Sequence, residues 1–361
     1  MIVIGVDAHK ATHTCAAVQE LTGRLVQTRT APARDAGHGQ ILEWARDLNL
    51  DRVWAIEDCR HVTGRLERFL LAHGERVLRI PPKLTAGGRT SAREPGKSDP
   101  IDALTVARIA IREGVETFVS AQLDEDALEI RQLVDHRERL VWQRTALINN
   151  LRWHLHDLDP EFQVPLRQFN SRIWQQKTTR KLATLTGRPG HVRVAKDEIR
   201  RIRELTNAIN DLHRELAVLV TAYRPGLLEL HGCGVLTAAK AIGEAAGGQR
   251  FATASKFARI AGVAPLKASS GQNVRHRYDR GGNRQLNAVL HRIAITQIRS
   301  YQPARDYYQR KLSENKSHKE ALRCLKRQIA TAVWSALQPD PEHVRSRHRI
   351  PAVIHCNTPI P

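Results

Sequence analysis

Cysteine, methionine and aromatic residues are all scarce in this chain of 361 residues. The five cysteines are scattered and odd in number, and none forms a Cys-x-x-Cys pair. This pattern argues against a disulfide framework and against a zinc ribbon, and it indicates a reducing compartment. The chain also has no apolar run approaching the roughly 20 residues that cross a bilayer, and its N-terminus has no signal-peptide pattern. We therefore expect a cytoplasmic protein with no membrane partner.

Acidic residues are in deficit. Lys and Arg number 57 against 37 Asp and Glu, which gives a net charge of +20 and a pI near 10.4. A charge of this size predicts a polyanionic partner, and nucleic acid is the expected one. A DNA-binding cytoplasmic protein of this kind would be associated with the nucleoid.

Apolar patterning predicts four segments. Residues 1–120 have strand patterns at 2–7, 12–18, 24–30, 52–57 and 76–80 and helical patterns at 39–48 and 62–73, which predicts an α/β domain with a mixed sheet. Residues 121–222 contain two long helical stretches, 125–159 and 196–222, with apolar residues three and four apart. These stretches are either two helices packed within one chain or a coiled coil that pairs protomers. Residues 223–338 predict a second, mainly helical globular unit, and the proline-containing segment 339–361 predicts a disordered tail.

Four carboxylates stand out against the basic background. Asp7 and Glu57 each end an apolar run, whereas Asp99 and Asp102 are three residues apart at the start of a predicted helix and share one face. Asp99 fits the N-cap, with Pro100 at the first helical position. Either aspartate alone is explained by capping or by the helix dipole. As a set, the four carboxylates supply the hard oxygen ligands that Mg²⁺ prefers, and two such ions can clamp a phosphodiester.

Asp58 competes with Glu57 as the second ligand. Side chains on a strand alternate between its faces, so the two cannot both point at one site. We choose Glu57, because Asp58 already resembles the start of the following turn.

The segment 161–193 is strongly basic. It has seven positive charges against the single acid Glu161, with Phe169 and Trp174 among them. A charge run is usually a solvated face, but this imbalance together with aromatic side chains favours a nucleic-acid contact. The residues that we assign to this contact are Arg172, Lys177, Arg180 and Lys181.

Two further motifs lie in residues 223–338. The first is Gly232-Cys233-Gly234 between apolar helical stretches, which is either an ordinary helix connection or a helix–hairpin–helix that presents backbone N–H groups to a phosphate. The second is Ser269-Ser270-Gly271, normally a simple turn. An arginine cluster that could hold phosphates bidentately follows it, formed by Arg275, Arg277, Arg280 and Arg284.

In order and spacing, these motifs resemble those of the Asp-Glu-Asp-Asp transposases of the one-ten insertion-sequence family, which are related to Piv-type DNA invertases. The resemblance covers nearly the whole chain except the tail. The residues that carry it are Gly5-Val6-Asp7-Ala8-His9-Lys10, Ala55-Ile56-Glu57-Asp58, Lys97-Ser98-Asp99-Pro100-Ile101-Asp102-Ala103, Gly232-Cys233-Gly234 with Thr237-Ala238, Gly262-Val263-Ala264-Pro265 with Ser269-Ser270-Gly271, and Arg280-Gly281-Gly282-Asn283-Arg284-Gln285-Leu286.

The resemblance implies an N-terminal RuvC-like, RNase H-type domain, a helical coiled-coil middle and a C-terminal domain with a catalytic serine. It further implies that the four carboxylates bind Mg²⁺ and that the serine forms a covalent link to DNA. Ser270, directly before Gly271, fits the family's Ser-Gly pattern better than Ser269 does. The implied partners are donor and target DNA, a structured non-coding bridge RNA, and further copies of the chain in a dimer or tetramer.

The leading hypothesis is therefore a transposase that cleaves and exchanges DNA strands. A structure-specific nuclease of the Holliday-junction-resolvase kind would need the carboxylates but no serine. A non-catalytic nucleic-acid-binding protein would explain the charge and the hairpin motif but not the four carboxylates.

Overall fold

The computed structural model describes residues 1–57, 60–82, 84–85, 98–118, 120–246, 248, 251–267, 276–277 and 282–339; for 60–61, 266–267 and 276–277 it describes the backbone alone. The chain forms two compact units, and neither is continuous in sequence. Unit 1 comprises residues 1–125 and 248–283, and unit 2 comprises residues 126–247 and 284–361. The fourfold division drawn from sequence patterns stays a prediction.

Unit 1 is built on a five-stranded mixed sheet. Its strands are β1 (Ile2–Ala8), β2 (Thr12–Gln19), β3 (Leu25–Pro32), β4 (Arg52–Glu57) and β5 (Val77–Ile80). Their order is β3-β2-β1-β4-β5. The strand β2 is antiparallel to both of its neighbours, β1 and β3, whereas β4 and β5 run parallel to β1. The α/β class and the mixed sheet are confirmed.

Helices cover both faces of this sheet. The helices α1 (Asp35–Leu48) and α2 (Arg60–Ala72) pack on the face that carries Ile4 and Val6. The third helix, α3 (Asp99–Glu113), packs on the opposite face, against Val3 and Ala55. Because side chains alternate along a strand, the odd-numbered residues of β1 and β4 face α3, and Asp7 and Glu57 belong to that series.

Gly5 sets how closely α3 approaches the sheet. A Cβ built on Gly5 would lie 2.0 Å from the Ala103 carbonyl oxygen and 2.5 Å from the Ala107 amide nitrogen. Both are backbone atoms of α3, so no rotamer change could make room. Only glycine at this position lets the helix lie directly on β1, which brings the first turn of α3 near the end of the strand.

The start of α3 differs by one residue from the sequence prediction. Ser98 has the extended backbone of an N-cap, and Asp99 is already helical. The Ser98 side chain makes no hydrogen bond to the N–H groups of the first turn, although serine is a favoured N-cap residue. Asp99 is therefore available for other partners.

Unit 2 is mostly helical, as expected. Its long helices are α4 (Glu125–Leu158), which begins on the last residue of unit 1, and α6 (Pro189–Tyr223), with α5 (Arg172–Thr184) between them. Next come α7 (Gly226–Glu229) and α8 (Val235–Ala245). The chain then returns to unit 1, where it forms α9 (Ala254–Ile260) and the strand pair β6 (Leu266–Lys267) and β7 (His276–Arg277). The last three helices belong to unit 2 and are α10 (Arg284–Ser300), α11 (Gln302–Ser313) and α12 (His318–Leu337).

The helix α6 begins seven residues before the expected 196. Pro189 occupies its first turn, where a proline costs no hydrogen bond. On its apolar seam Ile202, Ile209 and Leu216 are buried within the chain. In contrast, α4 buries side chains only near its two ends, and none of its residues 135–150 is fully buried. Among the helices of the described residues, none combines the length and apolarity needed to cross a membrane.

Candidate active site

The strand ends place two of the four carboxylates side by side. The parallel register pairs Val6 of β1 with Ile56 of β4, so Asp7 and Glu57 follow at the next position of two neighbouring strands. Both belong to the series that faces α3. Asp58 lies outside the described residues, and the choice between it and Glu57 stays a prediction.

The first turn of α3 adds a second pair of carboxylates, and His9 joins them. His9 Nε2 lies 3.1 Å from Asp7 Oδ2 and 3.5 Å from Asp99 Oδ1. In the described part of the chain, Asp7, His9 and Asp99 form the one group of three possible metal ligands whose ligand atoms all lie within 4.8 Å of one another. Asp102, on the same helix, is 7% exposed. Glu57 and Asp102 are not members of that group.

Asp7 is in an environment that disfavours its negative charge. Burial raises the pKa of the Asp7 carboxyl, and the nearby charges of Asp102 and Asp99 raise it further, whereas His9 lowers it. A buried carboxylate beside two others needs a counter-charge. The His9 ring is hydrogen-bonded to Asp7, and its side chain is 54% exposed.

The donor set fits a divalent metal ion. The Asp7 and Asp99 carboxylates meet near the end of β1, and the imidazole of His9 is a further ligand for many divalent ions. A bound cation would neutralise the like charges around Asp7. When bound, such an ion polarises phosphoryl oxygens and activates water.

Thr85 is a neighbour of the site that the sequence patterns did not indicate. Its Oγ1 lies 2.7 Å from Glu57 Oε1 and donates a hydrogen bond there. Thr14 pairs with Asp7 across β1 and β2 and is 1% exposed. His9 was present in the strand-end motif, and its position two residues after Asp7 was the available signal. Thr85 is 28 residues from Glu57, and no sequence pattern indicated their contact.

Several of the predicted nucleophile and phosphate-binding residues cannot be placed. The residues that lie outside the described part of the chain are Ser269, Ser270, Arg275 and Arg280, together with the side chain of Arg277. Arg284 is exposed at the start of α10. The assignments to these residues stay predictions.

The Gly-x-Gly turn is firmly held. Gly232 has φ +85°, and a Cβ there would lie 3.1 Å from Thr296 Cβ on α10, so both backbone conformation and space favour glycine. His231 stacks on Tyr301, with ring centroids 5.0 Å apart, and its Nε2 lies 2.8 Å from Ser300 Oγ. Gly234 is the N-cap of α8, whose first N–H groups are available to an anion. However, the helix α7 that precedes this Gly-x-Gly segment is only one helical turn long. A helix–hairpin–helix motif therefore stays a prediction.

The basic helix α5 carries fewer unpaired charges than its sequence suggests. Its buried face is formed by Gln175, Thr178 and Leu182, and Arg172, Lys177 and Arg180 are exposed. Lys177 Nζ lies 4.6 Å from the centroid of the Trp174 ring. Two other cations of the basic segment are ion-paired with acids at the end of α4, Lys181 with Asp159 and Arg188 with Asp157.

Comparison with known proteins decides the family. A transposase model of the DEDD, IS110 type matches residues 4–160, which include all four carboxylates. A second model, the transposase IS116/IS110/IS902 family, matches residues 225–309. The chain belongs to the IS110 family of transposases. It is therefore an enzyme that cuts and rejoins DNA.

Relatives of this family align along almost the whole chain. The insertion element IS116 uncharacterized 44.8 kDa protein of Streptomyces clavuligerus is 26% identical over 93% of this chain and 94% of its own length. The insertion element IS900 uncharacterized 42 kDa protein of Mycobacterium paratuberculosis is 26% identical over 92% and 95%. Among solved structures, T. thermophilus RuvC in complex with a Holliday junction substrate matches 34% of this chain and 99% of its own, with 16% identity and a TM-score of 0.27.

Proposed function

We propose that this transposase cleaves and exchanges DNA strands with Mg²⁺ held by Asp7, Glu57, Asp99 and Asp102 and with Ser270 as the nucleophile. The observation that carries the proposal is the cluster at the end of β1. There the Asp7 and Asp99 carboxylates meet at His9, and Glu57 follows Asp7 in register. Four acidic ligands from three elements are what a metal-assisted phosphoryl transfer requires.

The serine step conserves the phosphodiester energy. The serine Oγ forms a bond to phosphorus while the bond from phosphorus to a deoxyribose oxygen breaks, and the serine proton leaves to a base or to solvent. The departing sugar oxygen takes up a proton. The hydroxyl of another strand end then attacks the phosphorus, and the bond from phosphorus to the serine Oγ breaks. No nucleotide cofactor is needed, which agrees with the absence of a GxxxxGK[ST] motif in the sequence. The segment 251–267, which precedes the serines, belongs to the same compact unit as the carboxylates.

DNA and a structured bridge RNA would bind on the cationic surfaces. Arg172, Lys177 and Arg180 on α5 offer exposed charges, and Gly232 and Gly234 present the start of α8 to a phosphate. We assign Lys181 a weaker contribution, because Asp159 already neutralises it.

The protein is further proposed to act as a dimer or tetramer. The middle of α4, residues 135–150, leaves the apolar side chains Leu140, Val141 and Leu147 only partly covered within the chain. Light scattering should give a mass that is a multiple of 40.7 kDa. Leu140→Glu should lower this mass, whereas Gln143→Glu at an exposed position of the same helix should not.

The decisive test is a strand-exchange assay with labelled donor and target DNA, Mg²⁺, and RNA transcribed from the flanks of the coding sequence. We expect an RNA-dependent, denaturant-resistant protein–DNA adduct that is lost in Ser270→Ala and retained in Ser269→Ala. Cleavage that survives both serine variants but not Asp7→Asn would identify a structure-specific nuclease instead. DNA or RNA binding without any cleavage would identify a non-catalytic binding protein.

A further inference from the structure

The end of α4 and the loop before α5 line an open cavity in unit 2 that has no part in the chemistry described above. Its volume is about 190 Å³, and its lining includes Arg152, His156, Phe162, Val164 and Phe169. A cavity of about 150 Å³ is enough to hold a benzene ring. The cavity therefore has the size for one heteroaromatic ring system but not for a large ligand.

One wall of the cavity carries a fixed hydrogen-bond donor. The Arg152 guanidinium donates from Nη1 to the Val164 carbonyl oxygen and from Nη2 to the Pro165 carbonyl oxygen, each at 3.1 Å, and its Cζ lies 5.2 Å from the centroid of the Phe169 ring. These contacts use two of the five guanidinium N–H groups. The orientation of the group is thereby set before any ligand binds, and N–H groups are left for acceptor atoms.

Aromatic surface surrounds this donor. Phe169 is 1% exposed, and Phe162 is partly buried with Lys181 Nζ 6.0 Å from its ring centroid. Lys181 itself is paired with Asp159, so it holds the Phe162 ring rather than supplying free charge. A cavity lined by two phenylalanine rings and a guanidinium donor is complementary to a flat ring that bears acceptor atoms.

The residue that follows Arg152 on α4 is an exposed tryptophan. Trp153 is 73% exposed and lies edge-on to His156, with ring centroids 6.4 Å apart. An indole left in water on a basic protein is a stacking platform for a base. His156 lines the cavity and so connects the exposed ring with its interior.

We propose that this base pocket, formed by Arg152, His156, Phe162 and Phe169, receives one unpaired base of a single-stranded nucleic acid, and that Trp153 stacks on the next base. The inference rests on the proposed function, in that it presupposes nucleic-acid binding. A base within a duplex is stacked and paired and cannot enter such a pocket. The pocket therefore selects for loops of RNA or for melted DNA strands.

The test measures the affinity of the full-length protein for one short labelled sequence, prepared as single-stranded RNA, single-stranded DNA and duplex DNA. Trp153→Ala and the size-conserving Phe162→Leu should each weaken single-strand binding by about 5- to 100-fold, as expected from the loss of base stacking. Neither should change duplex binding. Leu21→Ala is the control, because Leu21 is 90% exposed and belongs to neither of the proposed binding surfaces.

A second readout is photocrosslinking of a 4-thiouridine-containing RNA, which should map to the peptide with Trp153 and Phe162. If the pocket variants weaken RNA binding more than single-stranded DNA binding, the base comes from an RNA loop. If they weaken both equally, melted DNA is also a source of the base. If single-strand and duplex binding fall together, or if the pocket variants bind like wild type, the base pocket is refuted while the proposed function stands. Failure of the wild-type protein to bind any nucleic acid would refute both.

Discussion

Replacing Gly5 with alanine is expected to separate Asp7 from the carboxylates of α3. The added Cβ would lie 2.0 Å from the Ala103 carbonyl oxygen, and ordinary contacts begin at 3.4 Å. β1 and α3 must therefore move apart by about 1.4 Å, because backbone lies on both sides of the contact. Asp99 and Asp102 would move with the helix.

The size of the effect follows from this displacement. Forcing extra atoms into a packed core typically costs about 1–3 kcal/mol, and a clash between backbones belongs at the upper end of that range. A misplacement of about 1 Å in a catalytic group can reduce the rate by about 100-fold. We therefore expect Gly5→Ala to fold with a lowered Tm and to lose metal-dependent DNA cleavage by about two orders of magnitude.

The assay compares thermal unfolding and Mg²⁺-dependent DNA cleavage in two glycine variants. Gly39→Ala is the control, because Gly39 lies within α1 and a Cβ there meets nothing within 4 Å; it should be neutral or stabilising by up to about 1 kcal/mol. Adding Ala107→Gly to Gly5→Ala should not restore activity, since the closest contacts are to backbone atoms. A Gly5→Ala protein with wild-type Tm and cleavage would refute the close-packing argument.

Three other changes probe the site and the core. Asp7→Asn should abolish cleavage yet raise Tm without divalent ions, because burial and the carboxylates of α3 disfavour the Asp7 charge; a gain in Tm with Mg²⁺ that persists in this variant would contradict the metal assignment. Thr85→Val removes the hydrogen-bond donor to Glu57 and should lower the apparent Mg²⁺ affinity by about 10- to 100-fold, and Thr85→Ser should restore it. Equal metal titrations of wild type and Thr85→Val would exclude a positioning role. Burial lowers the pKa of Lys326 to about 8. Between that value and the ordinary 10.5 the unfolded chain holds more protons, so stability rises with pH. Lys326→Met should therefore stabilise at pH 7 by at most about 3 kcal/mol, and this advantage should shrink as Tm is measured up to pH 10; an advantage independent of pH would show that Lys326 does not titrate in this range.

The sequence predicted those features that depend on local pattern. The strand ends at Asp7 and Glu57 and the shared helix face of Asp99 and Asp102 follow from side-chain periodicity, and the structure has these elements. The partner of Glu57 could not be predicted in this way, because Thr85 reaches it through the return of the chain after β5. A contact between residues far apart in sequence leaves no periodic signal.

The charge count of the basic segment missed two ion pairs. The excess of cations in residues 161–193 treated Lys181 and Arg188 as free, yet both are paired with acids that precede that window, Asp159 and Asp157. A count that starts at residue 161 leaves both acids out. The start of α3 was off by one residue because Ser98 and Asp99 are both good caps, and only the backbone distinguishes them.

The discontinuous boundaries of the two units have a consequence for inheritance. The chain passes from one unit to the other after residues 125, 247 and 283, so no single cut separates two complete units. A fragment of residues 1–125 lacks part of its own unit, and its complement carries residues 248–283 without the sheet. Genetic exchange between relatives that replaces only the N-terminal third would combine segments with different histories inside one compact unit. We expect viable hybrids to exchange both segments together, so that residues 1–125 and 248–283 evolve as one block despite the long stretch of chain between them.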